Sequence, residues 1–182
     1  MLKDPIEDAL NEQIDAEFYA GYLYLSMASY FEDEGLPGFA AWMRAQAEEE
    51  KEHAMRIFDY VAERDGSVTL GGIDAPPAEW DSPSDAFQAA YEHEVEVSRM
   101  IDDLVALARE ENDNATENML QWFVEEQVEE EATAQDILDK LGHVGDDGPG
   151  LLMLDQELGQ RGSGGESEGE GEADAEPGAA PE

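Results

Sequence analysis

Cysteine is absent from all 182 residues, which excludes disulfides, thiolate nucleophiles and cysteine-ligated zinc or iron–sulfur centres. Positive charge is scarce: nine Lys and Arg stand against 47 Asp and Glu, for a formal net charge of −38. That field repels phosphate backbones and anionic lipid surfaces, so neither nucleic acid nor membrane is expected as a direct partner. Long apolar runs are missing too. The longest uncharged stretch, Phe18 to Phe31, has 14 residues and includes four Tyr and two Ser, whereas a membrane-spanning helix needs about 20 apolar residues. The opening MLKDPIEDAL places Asp4, Pro5 and Glu7 ahead of any apolar segment. No secretory signal is visible there, and the cytoplasm is the expected compartment.

Apolar residues are nonetheless plentiful. A hydrophobic content of 41%, with six Phe, six Tyr and three Trp, is enough to bury a sizeable core, so the chain is expected to fold despite its charge. The length suits one domain with something appended. Three Lys among so many acids resemble the composition of proteins from halophiles that accumulate salt, where a Debye length of a few Å suppresses self-repulsion.

Helix punctuation divides the chain. Asp4 as N-cap and Pro5 in the first turn open a first helix, which Gly35 and Pro37 stop. A second runs from Pro37 to about Asp65, with Gly66 placed as its C-terminal cap. Ser82, Pro83 and Asp85 open a third, ending near Asn112. Asn114 caps a fourth that reaches Leu141 and Gly142, and a short fifth follows Pro149 to about Gln160. The seventeen residues 66–82 have no helical period. Extended, they span up to roughly 56 Å, more than the length of a helix of about 28 residues, about 42 Å. The connection can therefore run the length of a bundle and leave the second and third helices parallel. The expected fold is all-α: a four-helix bundle with one long crossover and a short fifth helix over residues 1–160, followed by a disordered acidic tail over 161–182.

Each long helix carries a heptad-like stripe. The stripes read Ile6, Leu10, Gln13, Glu17, Tyr24, Ala28, Phe31; then Phe39, Met43, Gln46, Glu50, His53, Ile57, Tyr60; then Phe87, Tyr91, Glu94, Ile101, Leu104, Ala108; then Met119, Phe123, Glu126, Glu130, Thr133, Ile137. On packing grounds Glu17, Glu50 with His53, Glu94, and Glu126 with Glu130 do not belong there, because Glu is almost never buried unpaired. All sit near the middle of their helices and so share one cross-section. Two carboxylates about 4 Å apart repel by about 4 kcal/mol at an effective dielectric of 20, and no Lys or Arg lies on these stripes. Bound cations resolve the conflict. Several carboxylates with one imidazole and no sulfur suit iron, manganese or zinc, in an oxygen-rich site fitted to ions that enter, oxidise and leave. The bland alternative is an acidic bundle that binds cations loosely without turnover; a monomeric di-metal oxygenase is disfavoured for want of a substrate-pocket signal. His93, off its stripe, and His143, in a loop, are expected to be solvated.

With Glu17, then Glu50-x-x-His53, then Glu94, then Glu126-Gln127-x-x-Glu130 on four helices in this order, the chain resembles the bacterial and archaeal non-haem ferritins. The strings QWFV at 121–124 and LDQEL at 154–158 strengthen the likeness. The resemblance implies iron storage in a 24-subunit hollow cage, a homo-oligomer that oxidises Fe(II) with O2 or H2O2 (a ferroxidase) and keeps Fe(III) as a mineral. It implies that Glu17, Glu50 and His53 hold a first iron, and that Glu50 as bridge, Glu94 and Glu130 hold a second with Gln127 beside it. It also implies a third iron site of Glu49, Glu126, Glu129 and Glu130. Tyr24 corresponds to a tyrosine that hydrogen-bonds near the pair and gives up an electron, though a plain core role stays open. Lys51 stands where haem-binding relatives carry a Met, so haem is not expected. An apolar surround on the first helix (Phe18, Tyr19, Tyr22, Leu23, Leu25, Met27), with Leu70, Ile73 and Trp80 of the crossover, predicts a partner subunit on that side. The tail reads either as a solubilising extension or as extra carboxylates hung inside the cage.

Overall fold

The computed structural model describes residues 2–145 and 147–161; the expected acidic tail, but for the backbone of Arg161 at the end of the last helix, lies outside the described residues. Five helices follow in order: α1 (Asp4–Asp33), α2 (Pro37–Glu63), α3 (Pro83–Glu110), α4 (Asn114–Val144) and α5 (Gly148–Arg161). The first four form the bundle.

Helix ends follow the sequence punctuation with three differences of residue. Lys3, not Asp4, is the N-cap of α1, and Asp113, not Asn114, caps α4, its side chain accepting from the Thr116 amide at 3.1 Å. At the end of α2 the left-handed residue is Asp65 (φ 56°), and Gly66 closes the turn by donating to the Val61 carbonyl. Ser82 caps α3 as expected, its Oγ accepting from the Asp85 amide at 3.1 Å. Gly35, at φ 73°, permits the left-handed turn between α1 and α2 that a side chain would strain.

Directions can be read from contacts at the bundle ends. Lys3 pairs with Glu111, so α1 runs against α3. Arg64, just after α2, pairs with Asp113, just before α4, at 3.0 Å, so α2 runs against α4. Tyr60 and Thr116 meet at the same end, 2.9 Å apart. α2 and α3 are therefore parallel, as the crossover length implied.

The crossover is pinned along α1 by polar side chains on one helical face. The Asn11 side chain donates to the Ser67 carbonyl and accepts from Thr69 N, Asp15 accepts from Gly71 N, and Ser26 Oγ donates to the Pro77 carbonyl. Residues 11, 15 and 26 recur at whole helical turns, so the loop follows a straight track from the start of α1 to near its end.

The core is in two apolar parts. One holds Met27, Phe31, Phe39, Trp42, Phe87 and Ile137; the other holds Leu10, Ile14, Ile57, Ile101, Leu120 and Phe123. Between them lies a belt of buried polar groups: Gln13, Glu17, Gln46, Glu50, His53, Glu94, Gln127 and Glu130. α5 caps the first part. Leu154 and Leu158 enter it, and the buried Asp155 carboxylate accepts from Gly38 N at 2.7 Å and Phe39 N at 3.0 Å. These are orphan donors at the start of α2, so α5 supplies the cap that α2 lacks in its own sequence.

Candidate metal centre

The belt sits at mid-bundle because each long helix contributes to it near its midpoint. Glu17 and Gln13 come from α1, Glu50, His53 and Gln46 from α2, Glu94 from α3, and Gln127 and Glu130 from α4. Gly21 brings α1 and α2 together beside it: a Cβ there would stand 3.1 Å from the Ala47 carbonyl and 3.6 Å from Glu50 Cβ. Glycine at this position lets the two helices approach closely, where a Cβ would force the Ala47 carbonyl to give by a few tenths of an ångström.

One ligand atom from each of Glu17, Glu50 and His53 lies within 4.8 Å of the other two. Glu17 Oε2, Glu50 Oε1 and His53 Nδ1 are buried and have no hydrogen-bond partner, although His53 Nδ1 comes to 3.3 Å from Glu50 Oε2. Buried polar atoms are otherwise nearly always satisfied. Two carboxylates and an imidazole turned toward one another, with no cationic side chain among them, fit a cation. The other Glu17 oxygen is tied: Gln13 Nε2 donates to Glu17 Oε1 at 2.8 Å.

The second half of the belt is held by neutral donors. The Tyr24 hydroxyl donates to Glu94 Oε1 at 2.5 Å, Gln127 Nε2 donates to Glu94 Oε2 at 3.2 Å, and Gln46 Nε2 donates to Glu130 Oε2 at 2.9 Å. Among the described residues no lysine or arginine is buried. Burial instead favours the protonated forms. Burial, followed by the charge of Glu50, pushes the Glu17 carboxyl well above the usual range; burial, followed by the charges of Glu94 and Glu130, does the same to Glu50. Burial and then Glu94 raise the Tyr24 phenol, so it stays a donor.

A second group, Glu49, His53 and Glu126, also brings ligand atoms within 4.8 Å of one another. It shares His53 with the first. Glu129 is exposed and takes no part in either group, so the four-carboxylate third cluster is brought together only in its Glu49 and Glu126 half. On α4 the buried stripe runs Leu120, Phe123, Gln127, Glu130, Ala134, Ile137. Glu126, Met119 and Thr133, expected on that stripe, are half-buried flanks, because the helix is rotated by one position over part of its length. Tyr60 and Tyr91 are half-buried for the same reason.

The two other histidines differ from expectation. His93 is half-buried against the Tyr19 ring, centroids 5.8 Å apart, and burial lowers its basicity. His143 is exposed as expected, but it lies in the last turn of α4, which runs past Gly142. Gln13 and Gln46 stood on the sequence stripes without a role; a glutamine one helical turn from a stripe glutamate is the signal for a carboxylate holder. The surround of α1 is also narrower than expected. Leu23 and Met27 are core and Trp80 packs on Tyr30, which leaves Tyr22 and Leu25 exposed; Leu70 and Ile73 of the crossover are exposed as well. No helix among the described residues is long and apolar enough to cross a membrane.

Residues 7–144 match the ferritin-like domain family. The chain is 47% identical over 161 residues to the bacterial non-heme ferritin of Bacteroides fragilis, covering 88% of this chain and all of that one. It is 40% identical over 158 residues to the bacterial non-heme ferritin of Campylobacter jejuni, covering 87% of this chain and 95% of the relative. Among solved structures it resembles an open pore ferritin from the hyperthermophilic archaeon Archaeoglobus fulgidus, with a TM-score of 0.87 and 55% identity over 87% of this chain and 98% of that one.

Proposed function

The chain belongs to the bacterial and archaeal non-haem ferritins, and from that premise we propose that it stores iron, taking Fe(II) as substrate at the mid-bundle belt and oxidising it there. The observation that carries the reading is the set of three facing, unpartnered ligand atoms of Glu17, Glu50 and His53. Glu17, Glu50 and His53 hold a first Fe(II); Glu50 bridges to a second held by Glu94 and Glu130. Hard anionic oxygens favour the more highly charged Fe(III) over Fe(II) and so make the electron easier to remove. Two Fe(II) give up one electron each, and O2 with two protons becomes H2O2, or H2O2 with two protons becomes water. Fe(II) competes with protons for the carboxylates of Glu17 and Glu50, whose proton affinity burial raises. Glu49 and Glu126, with Glu129 and Glu130 further along α4, form an acceptor for iron leaving the pair, and Tyr24 stands ready as a further electron donor. Gln127 serves as a holder of Glu94.

Storage requires an enclosure, and the exposed Tyr22, Leu25, Leu70 and Ile73 are apolar surface that a second copy of the chain covers; the ferritin reading extends this to a 24-subunit cage. The chain divides into the bundle with its fifth helix and the acidic tail.

Anaerobic Fe(II) loading followed by air, monitored by absorbance of Fe(III), tests the activity. Wild-type protein is expected to oxidise iron rapidly and a Glu50→Ala, His53→Ala double variant to fall by at least about 100-fold toward the uncatalysed rate. Equal rates would overturn the site.

A further inference from the structure

A line of hydrogen bonds leaves the belt between α3 and α4 and ends at the surface. Gln127 Nε2 faces three acceptors: Glu94 Oε2 at 3.2 Å, the Glu94 carbonyl at 3.2 Å and Ser98 Oγ at 3.4 Å. Ser98 Oγ in turn donates to Glu131 Oε1 at 2.5 Å. Glu131 lies on the rim of a shallow hollow with Tyr91, Val128, Ala132 and Gln135.

The polarity of this line is fixed from its outer end. A carboxylate only accepts, so the single hydroxyl hydrogen of Ser98 is committed to Glu131 and its lone pairs remain to face Gln127. Gln127 must then present N–H to Ser98. A flipped amide would set its carbonyl against the Ser98 lone pairs and against both Glu94 oxygens. Glu94 is consequently held at both carboxylate oxygens, by Tyr24 on Oε1 and by Gln127 on Oε2. Each oxygen keeps one in-plane lone pair, and the carboxylate cannot rotate without losing a bond.

We propose that Ser98 and Glu131 are positioning residues for the second metal: acting through Gln127, they lock Glu94 in the rotamer that receives it, and Gln127 contributes no ligand of its own. This rests on the reading of Glu94 as a ligand. Outer partners of this kind commonly alter metal affinity by about 10- to 100-fold.

The test is anaerobic titration of the apoprotein with Co(II), followed by its visible absorbance and by calorimetry, which resolve the two binding steps. Ser98→Ala should weaken the second step about tenfold and leave the first unchanged, whereas Ser98→Thr, which keeps the hydroxyl, should bind as wild type. A wild-type second step in Ser98→Ala, or equal weakening of both steps, overturns the proposal. Glu94→Ala separates the two levels of inference. Loss of the second step there with an intact second step in Ser98→Ala defeats the positioning role alone. Two undiminished steps in Glu94→Ala defeat the ligand reading and the positioning role with it.

Discussion

At the residue scale the buried carboxyls of the belt work against the fold. Glu17 and Glu50 carry carboxyls raised well above the ordinary range, first by burial and then by neighbouring carboxylates. A group that holds its proton more tightly folded than unfolded adds no penalty below the unfolded pKa. The fold loses stability as pH rises from the ordinary glutamate range through the raised values, and the loss is complete above them. The metal-free protein is therefore expected to melt at lower temperature at pH 8 than at pH 6, with the Glu17→Gln, Glu50→Gln variant losing that part of the dependence and melting higher than wild type at pH 8. Added Co(II) should stabilise wild type more at pH 8 than at pH 6, since it competes with protons for the same oxygens. Calorimetric scans at the two pH values decide this; a double variant with the wild-type pH slope would remove these two glutamates as its source. Stability given up at a functional site is a common exchange.

At the element scale, α5 and α2 depend on each other through Asp155. The carboxylate satisfies the Gly38 and Phe39 amides, and a Cβ at Gly38 would overlap the Asp155 carbonyl. Asp155→Ala removes a cap worth about 1 kcal/mol, and hydrogen exchange at Gly38 and Phe39 should accelerate several-fold with the centre unaffected. Gly38→Ala is expected to be worse, because it drives backbone against backbone where no side chain can yield; α5 should lose its seat on the core, seen as fast exchange over residues 151–158. Wild-type protection in Gly38→Ala would show that α5 shifts freely. The surface pairs of Lys140 with Glu157 and Asp136 are exposed and add under about 1 kcal/mol each, so burial of Leu154, Asp155 and Leu158 sets the docking.

At the scale of the whole molecule, a net charge of −38 acts against both compactness and association. Repulsion between exposed carboxylates falls off over about 10 Å at 0.1 M salt and about 3 Å at 1 M. Light scattering is expected to show a large assembly in 2 M salt that loosens toward smaller species as salt is withdrawn. The melting temperature should rise with salt over the same range. A 20.0 kDa monomer at high salt would rule out the covered apolar face of Tyr22, Leu25, Leu70 and Ile73.

The sequence by itself determined the helices, their order and the polar residue types that interrupt the apolar stripes at mid-bundle. Those features depend on local physics: Pro37, Ser82 and Gly35 punctuate helices through their own backbone limits, and a Glu four or seven positions from apolar neighbours is placed on a buried stripe by the helical period alone. Tertiary structure decided whatever depends on rotation of one helix against another. Periodicity fixes a stripe to within about one residue, or about 100° of turn, and that uncertainty separates Gln127, buried, from Glu126, on the flank. It also separates a half-buried His93 from the solvated one the stripe implied. The same limit hid the roles of Gln13, Gln46 and Asp155, whose partners lie 4, 84 and 117 residues away. An amide or carboxylate shows in sequence only as a polar residue. Its part as holder or cap exists once packing has brought an unsatisfied atom within 3 Å of it and excluded the water that would otherwise take its place.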